Sequence, residues 1–417
     1  MPEKKTSVVP RLRFPEFRDA LPWEIKPLGK LLVSPPEYGI NAPAVPYSEF
    51  LPTYLRITDI AGDGSGIREE KVSVARNVSK ENYLCEGDIV LARTGASVGK
   101  SYKHKKENGP LVFAGFLIRI RPNRDKLNDE FLYQYFFTEQ YWRWVAHTSA
   151  RSGQPGINSS EYASLPLPMP LLPPEQQKIA DCLSSLDEVI DLEAQKLDAL
   201  KAHKKGLMQQ LFPREGETTP RLRFPEYRDA EGWEVKRLGE VCELNPPSAQ
   251  IPASFIYIDL ESVESGRLLQ KKRIEKRNAP SRAQRVLKKG DILYQMVRPY
   301  QKNNFLFNID DFNDYVASTG YAQLRAYNSE CFLFQLIHTD DFVDKVLAKC
   351  TGSNYPAINS SDLAVIYVAI PYPEEQQKIA DCLASLDEVI NLETQKLDAL
   401  KAHKKGLMQQ LFPQEVD

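Results

Sequence analysis

The sequence predicts an α+β protein: two mixed α/β domains joined by two long helices that pair as an antiparallel coiled coil with pseudo-twofold symmetry. Three observations carry this. The stretch QKLDALKAHKKGLMQQLFP at Gln195–Pro213 recurs unchanged at Gln395–Pro413, and the longer segments Glu175–Pro213 and Glu375–Pro413 differ only at Ser184/Ala384, Asp191/Asn391 and Ala194/Thr394. Upstream, PRLRFPEFRDA at Pro10–Ala20 matches PRLRFPEYRDA at Pro220–Ala230, followed by Trp23/Trp233 and Leu28-Gly29/Leu238-Gly239. Between these markers the two middles differ, yet both keep a Gly-Asp-Ile opening (Gly87, Gly290) and a PxINSS loop, Pro155–Ser160 and Pro356–Ser361. A chain of 417 residues is long for a single core. Residues 1–172 and 214–372 are read as the domains, and 173–213 and 373–417 as the helices.

The middles read as sheets. YLRITDI, GDIVLA, LVFAGFLIRI, FIYIDL and GDILYQMV are β-branched and aromatic runs separated by Gly, Asn and Pro. A helix flanks the first of them, over 130–146. The long helices read most clearly: Pro174-Glu175 suits a first turn, and Phe212-Pro213 ends it. A heptad seam runs Leu183, Leu186, Ile190, Glu193, Leu197, Leu200, Lys204, Leu207, Leu211, and again through Leu386, Ile390, Glu393, Leu397, Leu400, Lys404, Leu407 and Leu411. Such a helix spans roughly 55 Å at ~1.5 Å per residue. Parallel pairing would set Glu193 against Glu393 and Lys204 against Lys404. Antiparallel pairing sets Glu193 against Lys404, Lys204 against Glu393 and Leu211 beside Leu386, so opposite charges meet. The expected object is a rod holding two similar, non-identical heads apart, which suits a polymeric substrate.

Charge and cysteine narrow the class. The formal net charge is only −2, but the basic residues cluster. Residues 267–298 hold eleven Lys/Arg against two acids, and 93–106 hold five against none. Lys and Arg interleaved with Ser, Thr, Gln, Asn and Tyr form a mixture that grips phosphates and reads base edges. Local chemistry nominates as DNA contacts Tyr38, Arg93, Thr94, Ser97, Lys100, Arg151, Ser152 and Gln154 in the first domain. In the second it nominates Arg267, Lys271, Lys272, Arg273, Arg277, Arg282, Arg285, Arg298, Asn354 and Tyr355. Six cysteines without CxxC or CxxH spacing, and the lack of a leader or spanning apolar run, set the expectation of reduced thiols, no metal site, no membrane and a cytoplasmic location.

No catalytic residues are expected. RTGASVGKS has three residues between its glycines, where a P-loop needs four, and it reads better as a Gly/Ser loop beside a phosphate backbone. NPPS at Asn245–Ser248 lacks the final aromatic of the amino-methyltransferase motif, and no glycine-rich cofactor loop follows a strand.

The opening motif with its tryptophan, the Gly-Asp-Ile blocks, the PxINSS loops and above all the duplicated EQQKIADCLxSLDEVI…KLDALKAHKKGLMQQLFP helices resemble the specificity subunits of type I restriction–modification systems, over nearly the whole chain. The resemblance implies two target-recognition domains, each reading one half of a bipartite asymmetric site in double-stranded DNA. It also implies that the helices set the separation and dock two methyltransferase subunits, and through these the restriction/translocase subunits. No cofactor would be bound by this chain; S-adenosylmethionine, ATP and Mg would belong to partners. Three other readings stay open: the recognition subunit of a related system with a fused methyltransferase–nuclease partner, a stand-alone DNA methyltransferase, and a non-DNA scaffold built on the coiled coil.

Overall fold

In a computed structural model the chain is described over residues 7–60, 66–67, 70–150, 153–247, 250–352 and 355–414. It forms two compact units, residues 1–194 with 396–417, and residues 195–395. The long helices, Pro173–Leu211 and Pro373–Leu411, are each 39 residues and each contributes to both units. The fold is mixed helix and sheet, as the sequence predicts. Among the described residues no helix is long and apolar enough to cross a membrane. All six cysteines are free thiols.

One four-stranded sheet and the middle of a second are shared by the two units. In the first, a four-stranded sheet runs in the order Glu37–Tyr38, Leu117–Ile120, Ile89–Ala92, Ser101–Lys103, and a second in the order Ala44–Pro46, Val72–Val74, Thr53–Leu55, Leu111–Phe113. The second unit matches the first of these sheets with Cys242–Leu244, Tyr321–Ala326, Asp291–Gln295, Phe305–Phe307. Its other sheet runs Lys272–Glu275, Ser254–Ile258, Tyr315–Ser318, Ala283–Val286, in which the first three strands answer to Val72–Val74, Thr53–Leu55 and Leu111–Phe113. Ala283–Val286 stands where the first unit has the isolated bridge Tyr83–Val112, and Ala44–Pro46 has no paired counterpart among the described residues. One parallel pair recurs in each second sheet, Tyr54 beside Val112 and Tyr257 beside Val316. The Gly-Asp-Ile blocks open the central strands. Gly87 and Gly290 sit at φ +86° and +90°, which suits glycine. The aspartate behind each is buried and held by a two-pronged arginine from the neighbouring strand: Asp88 by Arg121 at 2.8 and 2.8 Å, Asp291 by Arg325 at 2.8 and 2.9 Å.

The opening motif is a splice between helix ends. Arg13 Nε and Nη2 donate to the two oxygens of Glu175 at 2.6 and 2.7 Å, and Arg223 grips Glu375 at 2.8 and 2.8 Å. Both glutamates are fully buried in the first turn of a long helix, where the helix dipole favours a carboxylate. One residue earlier, the Leu12 and Leu222 N–H groups donate to Gln410 O and Gln210 O, both at 2.9 Å, satisfying carbonyls left open at a helix C-terminus. The tryptophans close the socket. Trp23 packs edge-on against Phe131 and Phe412, and Trp233 against Phe332 and Phe212, with ring centroids 5.8–6.3 Å apart.

Within each unit the long-helix segments run antiparallel, but one heptad away from the expected register. In the first unit Lys404 pairs with Asp187 and Lys396 with Glu193, each at 2.5 Å; in the second Lys204 pairs with Asp387 at 2.6 Å and Lys196 with Glu393 at 2.5 Å. Glu193 therefore does not take Lys404, nor Glu393 Lys204. Leu211 joins a core with Ile379, Ala380 and Leu383 rather than meeting Leu386, and Leu411 joins the equivalent core with Ile179, Ala180 and Leu183. The expected helix over 130–146 is also two helices, Asp129–Tyr135 and Glu139–Ser149. Thr138 breaks it, its hydroxyl accepting from Tyr141 N at 3.2 Å as the cap of the second piece.

Glu375→Ala leaves Arg223 buried and unpaired and should cost about 3–5 kcal/mol in chemical denaturation, while Arg223→Met with Glu375→Leu should cost clearly less than that single change. Lys404→Glu should be rescued by Asp187→Lys and not by Glu193→Lys, with a coupling of about 1 kcal/mol in a double-mutant cycle; rescue by Glu193→Lys instead would restore the Glu193–Lys404 register.

Candidate nucleic-acid interface

In each unit the loop that follows the Gly-Asp-Ile strand is stitched to the PxINSS loop by backbone hydrogen bonds. In the first, Ile157 N donates to Arg93 O at 2.9 Å and Gly95 N to Pro155 O at 3.0 Å. In the second, Ile358 N donates to Met296 O at 3.0 Å and Arg298 N to Pro356 O at 2.7 Å. Position by position, Arg93 matches Met296, Gly95 matches Arg298, Gly99 matches Lys302, and Gln154 matches Tyr355. Asn158 and Asn359 then cap the short helices that follow, accepting from Glu161 N and Asp362 N. The loop pair is thus a fixed platform whose backbone is shared and whose side chains are not.

On the first platform the structure brings together Tyr38, Arg93, Thr94, Ser97 and Gln154. The Arg93 guanidinium lies 4.7 Å above the Tyr38 ring, and Tyr38 is exposed. Ser159 N donates to the Tyr38 hydroxyl at 3.1 Å. Hydrogen bonding from Ser159, its side chain first and its backbone N–H second, followed by the Arg93 charge, holds the phenol below its ordinary pKa. Arg93 has no ion pair among the described residues, and its Nε is buried without a hydrogen-bond partner there. Thr94 bridges Gly156, Ser97 ends the short turn Gly95–Ser97, and Lys100 follows it, half-buried. The turn sits on the helix Glu139–Ser149: a Cβ at Gly99, φ +88°, would lie 2.8 Å from Val145 Cγ1 and 3.1 Å from Trp142 Cζ3. Arg151 and Ser152 lie outside the described residues.

On the second platform Arg298 stacks 4.3 Å over Tyr355, which is exposed; Asn354 lies outside the described residues. The rest of the second basic run divides. Arg267, on the hairpin Val263–Glu264/Arg267–Leu268, donates to Asn391 O at 3.1 Å and to the Asn391 side chain, so it braces the long helix. Lys271 pairs with Asp311 at 2.9 Å, Arg277 with Glu275 at 2.6 Å, and Arg273 with Asn313. Arg285 lies half-buried in the strand Ala283–Val286, its guanidinium acidified by burial, while Lys272 and Arg282 are exposed. Sequence reasoning missed Ser159, exposed Phe116, whose carbonyl accepts from Arg93 N at 3.1 Å, and exposed Tyr300 in the turn Pro299–Gln301. Aligning the two PxINSS loops and the turns they hold would have found Tyr300. Asn245 of NPPS is spent inside the fold, its amide donating to Ser360 Oγ at 2.8 Å; Ser248 is outside the described residues.

Two equal scaffolds carrying unlike, aromatic-backed basic loops define the class: a protein that reads nucleic acid. The chain belongs to the family of the type I restriction modification DNA specificity domain, whose model matches residues 53–202 and 230–402. This is a DNA-recognition domain, and the chain is not an enzyme of the system in its own right. The type I restriction enzyme MjaVIII specificity subunit of Methanocaldococcus jannaschii is 24% identical over 383 residues, covering 89% of this chain and 88% of its own length. The HindI specificity subunit of Haemophilus influenzae is 28% identical over 164 residues, 38% of this chain and 36% of its own. The crystal structure of a type I S subunit from M. genitalium, at 15% identity, covers 98% of this chain and all of its own with a TM-score of 0.63, and so shares the fold.

Gly99→Ala should destabilise the first unit by about 2 kcal/mol, through both its left-handed backbone and the clash with Val145. Gly153→Ala, where an added Cβ meets nothing within 4 Å, is the control and should leave the urea midpoint unchanged.

Proposed function

We propose that this chain reads a bipartite, asymmetric site in double-stranded DNA, each unit's platform contacting one half. Tyr38, Arg93, Thr94, Ser97, Lys100 and Gln154 serve the first half, and Arg298 and Tyr355 the second. The exposed cations Lys272 and Arg282 hold phosphates. The observation that carries this reading is the platform itself. The same backbone stitching is repeated in both units with different side chains, and each carries an arginine stacked on an exposed tyrosine with no ion pair among the described residues. Guanidinium groups kept off carboxylates and backed by a ring are pre-organised for base edges and phosphates.

The two nearly identical helices offer two equivalent surfaces, so two methyltransferase subunits dock on one chain, and restriction/translocase subunits join through them. In this scheme S-adenosylmethionine, ATP and Mg are bound by those partners, and the complex works in the cytoplasm. Coexpression with the system's methyltransferase, followed by mapping of methylated adenines, should return a two-part motif with a fixed unspecified spacer. A single uninterrupted motif would overturn the bipartite reading. In fluorescence anisotropy with duplex DNA, affinity should fall about 10³-fold or more between 50 and 200 mM salt if six or more phosphates are contacted; a flat salt response would remove DNA as the ligand.

A further inference from the structure

Arg298 and Lys302 both occupy left-handed backbone, φ +53° and +54°, where the first unit places Gly95 and Gly99 at +71° and +88°. A side chain there is strained, and strain of this kind persists where function holds it. Lys302 is explained by the fold: its ammonium donates to His338 O and Asp340 Oδ1, both at 2.9 Å. Arg298 is not. Among the described residues it makes no ion pair, its Nε is buried without a hydrogen-bond partner, and its guanidinium rests on the exposed Tyr355 ring. The first unit fills the same two positions with Gly95 and Gln154, the Gln154 amide lying 3.1 Å from where a Gly95 Cβ would be. The backbone therefore does not require an arginine at this turn.

We infer that Arg298 is the guanine reader of the second unit, its planar fork presented by Tyr355 to the O6 and N7 acceptors of one guanine in the major groove. This rests on the DNA-reading function proposed above and narrows it to one residue and one base. Ring stacking fixes the plane of the guanidinium and leaves its outer N–H pair free for a bidentate contact, which lysine cannot imitate. The second half-site must then contain a fixed G·C pair.

The test compares the wild-type chain with Arg298→Lys and Arg298→Gly, each coexpressed with the partner methyltransferase, by mapping methylated adenines. Both variants should turn one fixed G·C position of one half-site into any base, and leave the other half-site intact. Arg298→Gly should melt no lower than wild type, since glycine accepts the left-handed backbone, which separates loss of reading from loss of folding. If a variant writes no methylation, the purified chains are compared by anisotropy on a duplex bearing the wild-type motif and on one with that G·C pair replaced. Wild type should discriminate by about 10- to 100-fold and Arg298→Lys by little, with salt dependence retained. An unchanged motif, unchanged discrimination, or a wild-type motif in which neither half holds a fixed G·C pair overturns the inference. Failure of the wild-type chain to bind duplex DNA at all would instead remove the function beneath it.

Discussion

The buried arginine–glutamate fork at the start of each long helix is the constraint on which the rest depends. Glu175 and Glu375 are withdrawn from water, and a lone buried carboxylate would be strongly disfavoured. Arg13 and Arg223 supply the countercharge, and both come from the opening motif. The motif cannot supply it without also laying its backbone against a helix C-terminus through Leu12 and Leu222 and its tryptophan against Phe412 and Phe212. One short sequence thus fixes the start of one helix and the end of the other in each unit. Because Phe212 and Phe412 enter equivalent sockets, and Glu175 and Glu375 equivalent clamps, both helices must carry the same residues at both ends. The near-identity of the two 39-residue helices follows from those sockets as much as from any partner they meet.

A second pair of forks, Arg121 on Asp88 and Arg325 on Asp291, ties neighbouring strands at the end of each central strand away from the reading platform. The platforms themselves are joined by backbone groups. This division matters for a protein that must vary what it reads. Where the stitching uses N–H and C=O, a side chain can change from Gly95 to Arg298 or from Gln154 to Tyr355 while the loop keeps its place. The scaffold is held by charge buried once and matched, and the reading surface by hydrogen bonds indifferent to sequence.

Much of this was legible in the residues. The duplicated segments, the helix limits near Pro174 and Leu211, the tandem organisation and the Arg–Tyr candidates could be read directly. The heptad register could not. A leucine seam with period seven matches itself equally well after a shift of one heptad, and the seam charges Glu193 and Lys404 favour the alignment that the fold does not adopt. Asp187, beside the seam, accepts Lys404 instead, and the Trp–Phe sockets fix where each helix ends. Pattern within the helices does not contain that information, because it resides in the sockets. The break at Thr138 was hidden for a related reason: an apolar helical pattern runs across it, and only the capping hydroxyl distinguishes two helices from one.

The second basic run shows why counting charge overstates a binding surface. Of its eleven Lys and Arg residues, Arg267 braces a helix, while Lys271, Arg277 and Lys289 face acids and Arg273 an asparagine. Two of those acids, Asp310 and Asp311, lie outside the run in sequence and come to it only through the fold, while Glu275 lies within it. A cation already held by a carboxylate gains little from a phosphate, since it must give up one partner for another. The cations that matter for reading are those the fold leaves without an anion while fixing their direction. By that criterion Arg298, placed on a strained turn and stacked on a ring, outweighs the several lysines that outnumber it.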